Sequence, residues 1–181
     1  MPRDESPPKR SGPVEMTFRK PDAKDGPAVC NLIRNSRILD ENSLYCNLLQ
    51  CDHFSETCII AEHIDARSVI GWVSGYLMPE DHDTLFIWQV TVDESVRGQG
   101  VAGQMLARLI QRQGCHHIRR VKTTITADNA ASWALFHALA RQMGASLSRN
   151  PHFRSDDHFH GAHATEHLVT ITMPVAAKRA A

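Results

Sequence analysis

Arg97, Gly98, Gln99, Gly100, Val101 and Ala102 stand where a run of β-branched and aromatic residues gives way to an amphipathic one. Glycines at positions 98 and 100 let several backbone N–H groups converge on one spot with no Cβ in the way, and a helix that follows adds its own open N–H groups. Such a turn cradles a phosphate or pyrophosphate. Each charge held there gains about 0.3–1 kcal/mol from the helix dipole, and direct N–H donation adds charge-assisted bonds. A second set of chemically able residues, Asp40, Asn42 and Tyr45, clusters at a break in a helical pattern. A third is late in the chain, where His158, His160, His163, Glu166 and His167 fall within ten residues. That density also suits metal ligation, as in a His- and Glu-lined β-barrel, but such a barrel needs a chain made almost wholly of strands.

The elements that must position these residues follow from periodicity. Leu85 to Val92 predicts a strand, Asp93 to Gln99 a polar turn, and Gly100 onward a helix whose buried face is Val101, Met105, Leu106, Leu109 and Ile110, ending near Gly114. Upstream, Met16 to Arg19 predicts a first strand, and Pro21-Asp22 leads into a helix carrying Val29, Leu32 and Ile33. A break at Asp40 to Ser43 precedes a second helix from Leu44. Thr57–Glu62 and Val69–Met78 predict strands joined through HIDARS, with PEDHD as the loop into Leu85. Downstream come a strand at Arg119–Thr126, a helix capped at Asp128-Asn129 with Leu135, Phe136, Leu139 and Met143 on its inner stripe, and a stop at Gly144. A strand from Leu147, a polar His-rich loop and a closing strand at Leu168–Met173 complete the order β-α-α-β-β-β-α-β-α-β-β. This is an α/β sandwich around one mixed sheet.

Composition bounds the rest. The 181 residues, 42% hydrophobic and 22% charged, fit one domain spanning 14–174, with residues 1–13 and 175–181 expected to be disordered tails. Twenty Lys plus Arg balance twenty Asp plus Glu, so no global field recruits nucleic acid or an anionic membrane. No apolar run approaches the ~20 residues that span a bilayer, and the start of the chain lacks a signal-peptide core. A cytoplasmic location is expected. Five cysteines without close pairing, Cys30, Cys46, Cys51, Cys58 and Cys115, fit reduced thiols.

The element order, with VTVDESVRGQGVA in its middle and NAASWALFHALARQMGA later, resembles the GNAT superfamily of acetyl-CoA-dependent N-acetyltransferases. The resemblance covers roughly Met16 to Met173. It implies the GNAT acyltransferase fold, a single mostly antiparallel sheet of about seven strands flanked by about four helices. It also implies acetyl-CoA as co-substrate, its pyrophosphate on Arg97 to Ala102, with Asn129 beside it. The pantetheine amides need a strand edge, for which the backbone of Val90 and Val92 would serve.

LDENSLYCNLLQCDHFSET, TLFIWQV and HFHGAHATEHLV carry a narrower resemblance, to the L-2,4-diaminobutyrate N4-acetyltransferases, whose product is a precursor of the compatible solute ectoine. By that resemblance Asp40 and Glu166 face the cationic ends of the substrate, Asn42, Tyr45 and Asn129 supply hydrogen bonds, and Trp88 forms an apolar or cation–π wall. The bland roles stay open: Asp40 and Asn42 as caps of the Leu44 helix, Asn129 as a cap that also binds, Tyr45 and Trp88 as core aromatics, Glu166 as a polar residue before a strand. The resemblance also implies a homodimer, for which leftover apolar surface on the first helices and final strands is available.

The attacking amine must be neutral, and an alkylammonium pKa near ~10.4 puts that state ~4.6 kcal/mol away at pH 7. Glu166, or a water held by it or by Asp40, is the candidate base, with His163 the competitor because its ordinary pKa suits neutral pH. The N–H of Val90 is the candidate donor to the developing oxyanion. Many superfamily members carry Tyr in the late helix as general acid, but Phe136 stands at the matching position and has no proton to give. Either the CoA thiolate leaves unassisted, its thiol pKa being near ~8.5, or another residue donates. Three rival readings remain: an acetyltransferase of another diamine or of a protein amine, a non-catalytic CoA sensor, and a His-rich metal-binding protein.

Overall fold

The computed structural model describes residues 14–36 and 41–174. Runs of β-branched and aromatic residues form seven strands: β1 (Met16–Arg19), β2 (Ile59–His63), β3 (Ser68–Met78), β4 (Asp81–Val92), β5 (Arg120–Thr126), β6 (Ser146–Phe153) and β7 (Glu166–Thr172). They make one sheet in the order β1-β2-β3-β4-β5-β7-β6. Every neighbouring pair is antiparallel except β4 with β5, which run parallel. The helices are α1 (Gly26–Ser36), α2 (Leu44–His53), α3 (Val101–Ile110), α4 (Ala130–Gln142) and the short α5 (Ser155–Phe159). The expected α/β order holds, and the barrel does not.

Two apolar layers fix which helix covers which face. Met105, Leu106 and Leu109 of α3 and Phe136 and Leu139 of α4 pack with Ile59, Val73, Leu85, Ile87, Val169 and Ile171 of the sheet. Val29, Leu32 and Ile33 of α1 and Cys51 of α2 pack with Ile60 and Trp72 on the opposite face. Close approach of α3 depends on Gly71, where a Cβ would fall 2.8 Å from Met105 Sδ and 2.9 Å from Ala61 Cβ. The alternation of β2 and β3 thus serves two cores at once.

Several boundaries differ from expectation. Strand β4 begins at Asp81, so PEDHD is mostly strand: the carboxylate of Asp81 accepts from Arg120 (2.8 Å) and from the Thr84 hydroxyl (2.7 Å), which ties its start to β5. Thr57 ends a 3-10 turn (Ser55–Thr57) rather than opening β2. The His-rich loop is shorter than expected, because β6 runs to Phe153 and α5 follows. Ser43 caps α2 by accepting from the Cys46 N–H, so the capping role open to Asp40 and Asn42 is taken. Asp40 itself, and the expected tails at 1–13 and 175–181, lie outside the described residues. Among the described residues no helix is long and apolar enough to cross a membrane.

Candidate active site

The site is opened by an irregularity in β4. Ser74 pairs with Gln89 and Gly75 with Ile87, so Trp88 has no partner on β3 and forms a bulge. The bulge reverses the alternation. Leu85 and Ile87 face the α3/α4 core, yet beyond Trp88 it is Val90 and Val92, not Gln89 and Thr91, that pack against that core. Pairing of β4 with β5 is confined to Thr84–Phe86 against Arg120–Lys122. From Ile87 to Val92 one edge of β4 is therefore open over roughly 20 Å, at ~3.3 Å per residue. The Gln89 N–H donates to Ser74 Oγ and the Asp93 N–H to the Ile70 carbonyl, both on the β3 side. Because N–H direction alternates along a strand, the N–H groups of Val90 and Val92 face the open edge.

Two helix N-termini converge on that edge. A cleft of about 340 Å³ is lined by Val90, Thr91, Val92, Arg97, Gly98, Ala102, Asn129, Ala131, Ser132 and Leu135. Gly98 and Gly100 have φ of +77° and +74°. A Cβ at either would meet no atom within 4 Å, so glycine is required by the left-handed backbone and not by crowding. The first bond of α3 runs from the Gln104 N–H to the Gly100 carbonyl, which leaves the N–H groups of Val101 and Ala102 at the helix mouth with Gln99 just before it. Arg97 lies exposed beside them, paired with Glu94 at 3.2 Å. Asn129 caps α4, its Oδ1 accepting from the Ser132 N–H at 3.0 Å. The Trp133 indole N–H donates to the Thr126 carbonyl and pins the end of β5 to that cap.

The second cleft, about 280 Å³, shares Val90, Asn129 and Ser132 with the first. It adds Asn42, Ile87, Trp88, Gln89, Thr123–Thr126, Phe136, His163 and Glu166. Five of the expected acceptor-side residues, Asn42, Trp88, Asn129, His163 and Glu166, thus meet in one place. Asn42 reaches across from the start of α2, its Nδ2 donating to Gln89 Oε1 at 2.9 Å. Trp88 is not a core aromatic but 48% exposed. His163 Nδ1 lies 2.7 Å from the Ala164 carbonyl. A carbonyl only accepts, so Nδ1 carries a proton there, and Nε2 is turned toward Glu166, 3.8 Å from its Oε1. Tyr45 does not join this lining and is 70% exposed on α2.

The threonine wall of β5, Ser132, Gln89 and Ser74 were not singled out from sequence. A signal existed for the threonines, since KTTIT ends a strand at the carboxyl edge of the sheet, where α/β folds bind ligands. The cysteines stay out of the chemistry. Burial pushes the thiols of Cys51 and Cys58 up to about 12, and burial also raises those of Cys46 and Cys115. None lines either cleft. Among the described residues, no group of three or more His, Cys, Asp or Glu side chains is gathered as metal ligands are.

An open strand edge beside a glycine-mouthed helix, under a V-shaped parting of two parallel strands, defines a GNAT acetyltransferase, and the family model for "Acetyltransferase (GNAT) family" matches residues 28–140. The L-2,4-diaminobutyric acid acetyltransferase of Methylotuvimicrobium alcaliphilum is 45% identical over 86% of this chain and 90% of its own length. That of Vibrio cholerae is 44% identical over 88% and 91%. The solved structure of diaminobutyrate acetyltransferase EctA from Paenibacillus lautus, in complex with L-2,4-diaminobutyric acid and coenzyme A, is 36% identical. It superimposes with a TM-score of 0.84, covering 89% of this chain and 96% of that one. The chain belongs to the diaminobutyric acid acetyltransferase family.

Proposed function

We infer that the protein transfers the acetyl group of acetyl-CoA to the 4-amino group of L-2,4-diaminobutyrate, giving N4-acetyl-L-2,4-diaminobutyrate for ectoine synthesis. The observation that carries this reading is the continuity of the two clefts through Val90, Asn129 and Ser132. One ends in backbone donors suited to a pyrophosphate; the other ends in a carboxylate, an imidazole and an indole suited to a small cation. Relatives named for this activity support the choice of amine.

In this reading the pyrophosphate sits on the N–H groups of Gly98, Gly100, Val101 and Ala102 with Gln99 and Arg97 beside it, and the pantetheine amides pair with the open edge at Val90 and Val92. Trp88 and Glu166 receive the ammonium groups, with Asp40 as their partner and Asn42 and Asn129 as hydrogen-bonding groups. Acceptor and acetyl donor are bound together, and the amine attacks the thioester directly. Glu166 takes the amine proton, with His163 Nε2 as the competing acceptor. The Val90 N–H donates to the oxyanion as the C–S bond breaks. Phe136 lines the cleft where a proton donor to sulfur would stand. The thiolate therefore leaves without help from that position, as a thiol pKa near ~8.5 allows.

The test is acetyl-CoA with L-2,4-diaminobutyrate, read by thiol release and by NMR of the product. Release with acetylation at N4 supports the reading; CoA binding without release identifies a sensor, and acetylation at N2 refutes the orientation. We also propose a homodimer. The groove lined by Tyr76, Phe86, Trp88, Phe153 and Leu168 lies on the sheet, and Leu44 and Tyr45 are exposed on α2. Light scattering checks it, a monomer at micromolar concentration being the contrary result. Five free cysteines support a reducing, cytoplasmic location.

A further inference from the structure

The bulge at Trp88 decides which way the backbone of Val90 points, and the chain supplies specific side-chain partners for it. The inserted residue, Trp88, precedes Gln89, whose N–H donates to the hydroxyl of Ser74 at 3.2 Å, and Ser74 is 1% exposed. The next residue on β3, Gly75, allows the kink: a Cβ there would fall 2.7 Å from the Phe86 carbonyl oxygen and 3.2 Å from that of Thr57. The Gly75 carbonyl accepts from the Thr57 hydroxyl at 2.7 Å, and Thr57 too is buried. Two buried hydroxyls thus satisfy backbone groups on either side of the register shift, where an unpaired buried group would carry its full desolvation cost.

We propose that Ser74, supported by Thr57, is a positioning residue of the acetyl-transfer reaction: its hydroxyl holds the β4 bulge and so keeps the Val90 N–H aimed at the open edge. Without the bulge, strand alternation would turn the Val90 N–H toward β3 and move Gln89 onto the α3/α4 core. Ser74 touches no substrate; it acts through the Gln89 N–H. The proposal rests on the reading of Val90 as oxyanion donor.

The test compares Ser74→Ala, Thr57→Val and Thr57→Ser with Ile171→Val, a core substitution on β7 remote from the bulge. Ser74→Ala and Thr57→Val are expected to lower kcat about tenfold to a hundredfold, less than loss of an oxyanion donor outright. Their CoA affinity by calorimetry is expected to fall by a much smaller factor than kcat, because the glycine turn that holds the pyrophosphate is untouched. Thr57→Ser keeps its hydroxyl and is expected to retain kcat within threefold. Amide hydrogen exchange should show lost protection at Gln89 in Ser74→Ala alone. The proposal is overturned if kcat is unchanged in Ser74→Ala. It is equally overturned if kcat and CoA affinity fall together with Tm as in Ile171→Val, or if Thr57→Ser is as impaired as Thr57→Val. Should Ser74→Ala not fold, the Thr57 pair decides. If the parent itself releases no thiol, the functional reading fails separately, and exchange at Gln89 still reports on the bulge.

Discussion

The two halves of the cleft are built differently. The coenzyme half is backbone: Gly98 and Gly100 with left-handed φ, the first N–H groups of α3, the open edge of β4. The acceptor half is side chains brought from four places: Asn42 before α2, Trp88 on β4, Asn129 before α4, and His163 with Glu166 at the entry to β7. A backbone site tolerates changes of side chain that keep φ, whereas a side-chain site loses its chemistry with one atom. Substitutions in the two halves should therefore separate binding of coenzyme from turnover.

The largest effect is expected at Glu166. Glu166→Gln should lower kcat at least about a hundredfold, at the lower end of what a positioned acid or base contributes, with CoA affinity unchanged by calorimetry. His163→Ala alongside it assigns the base: unchanged turnover in both removes the pair from the mechanism. Next comes the coenzyme half, where Gly100→Ala must hold a φ of +74°. The left-handed region costs an L-residue roughly 1–2 kcal/mol, so Kd for CoA should rise about five- to thirtyfold while the KM for diaminobutyrate is unaltered. A fall in kcat without weaker CoA binding would break the contrast drawn between the halves. Trp88→Leu keeps an apolar wall but removes the π face, and the KM for diaminobutyrate should rise about two- to thirtyfold, for about 0.5–2 kcal/mol.

The smallest effect on catalysis is expected in a region belonging to neither half. Asp25, buried at the entry to α1, accepts from Arg19 Nη1 and Nη2 at 2.8 and 2.7 Å. Burial alone would raise its carboxyl; the Arg19 bonds and the Asp22 N–H outweigh that and hold it below the ordinary value. A depressed folded pKa contributes stability that is full above the unfolded value near ~3.9 and is lost as the pH falls through the folded value. Asp25→Asn should therefore lower Tm at pH 7, lower it progressively less as the pH falls below ~3.9, and leave kcat alone. Thermal melts across a descending pH series check it, and a loss of Tm independent of pH would contradict the ion-pair origin.

The same contrast explains what could be read from the sequence. The glycine turn is contiguous, and glycine there is dictated by local backbone geometry, so ten residues from Asp93 to Ala102 suffice to see it. The acceptor half was legible only through longer resembling segments, because nothing local says that Asn42 and Glu166 share a cleft. Both halves of the fold follow from periodicity, yet the bulge at Trp88 does not: the run LFIWQVTV keeps a strand composition straight through the register shift. The signal lies on the neighbouring strand, in a serine and a glycine side by side at Ser74-Gly75. The displacement of Tyr45 from the cleft has the same cause in reverse, since its proximity in sequence to Asn42 says nothing about the face of α2 it occupies.

The acceptor half should select a short diamino acid, while the coenzyme half should be indifferent to the amine. The most direct measurement is kcat/KM for thiol release with L-2,4-diaminobutyrate, ornithine, lysine and peptide amines under one set of conditions. One added methylene in a fitted site is worth roughly tenfold to two-hundredfold, so diaminobutyrate should lead ornithine by at least about tenfold, with lysine and peptides lower still. Equal rates across the panel would contradict the account.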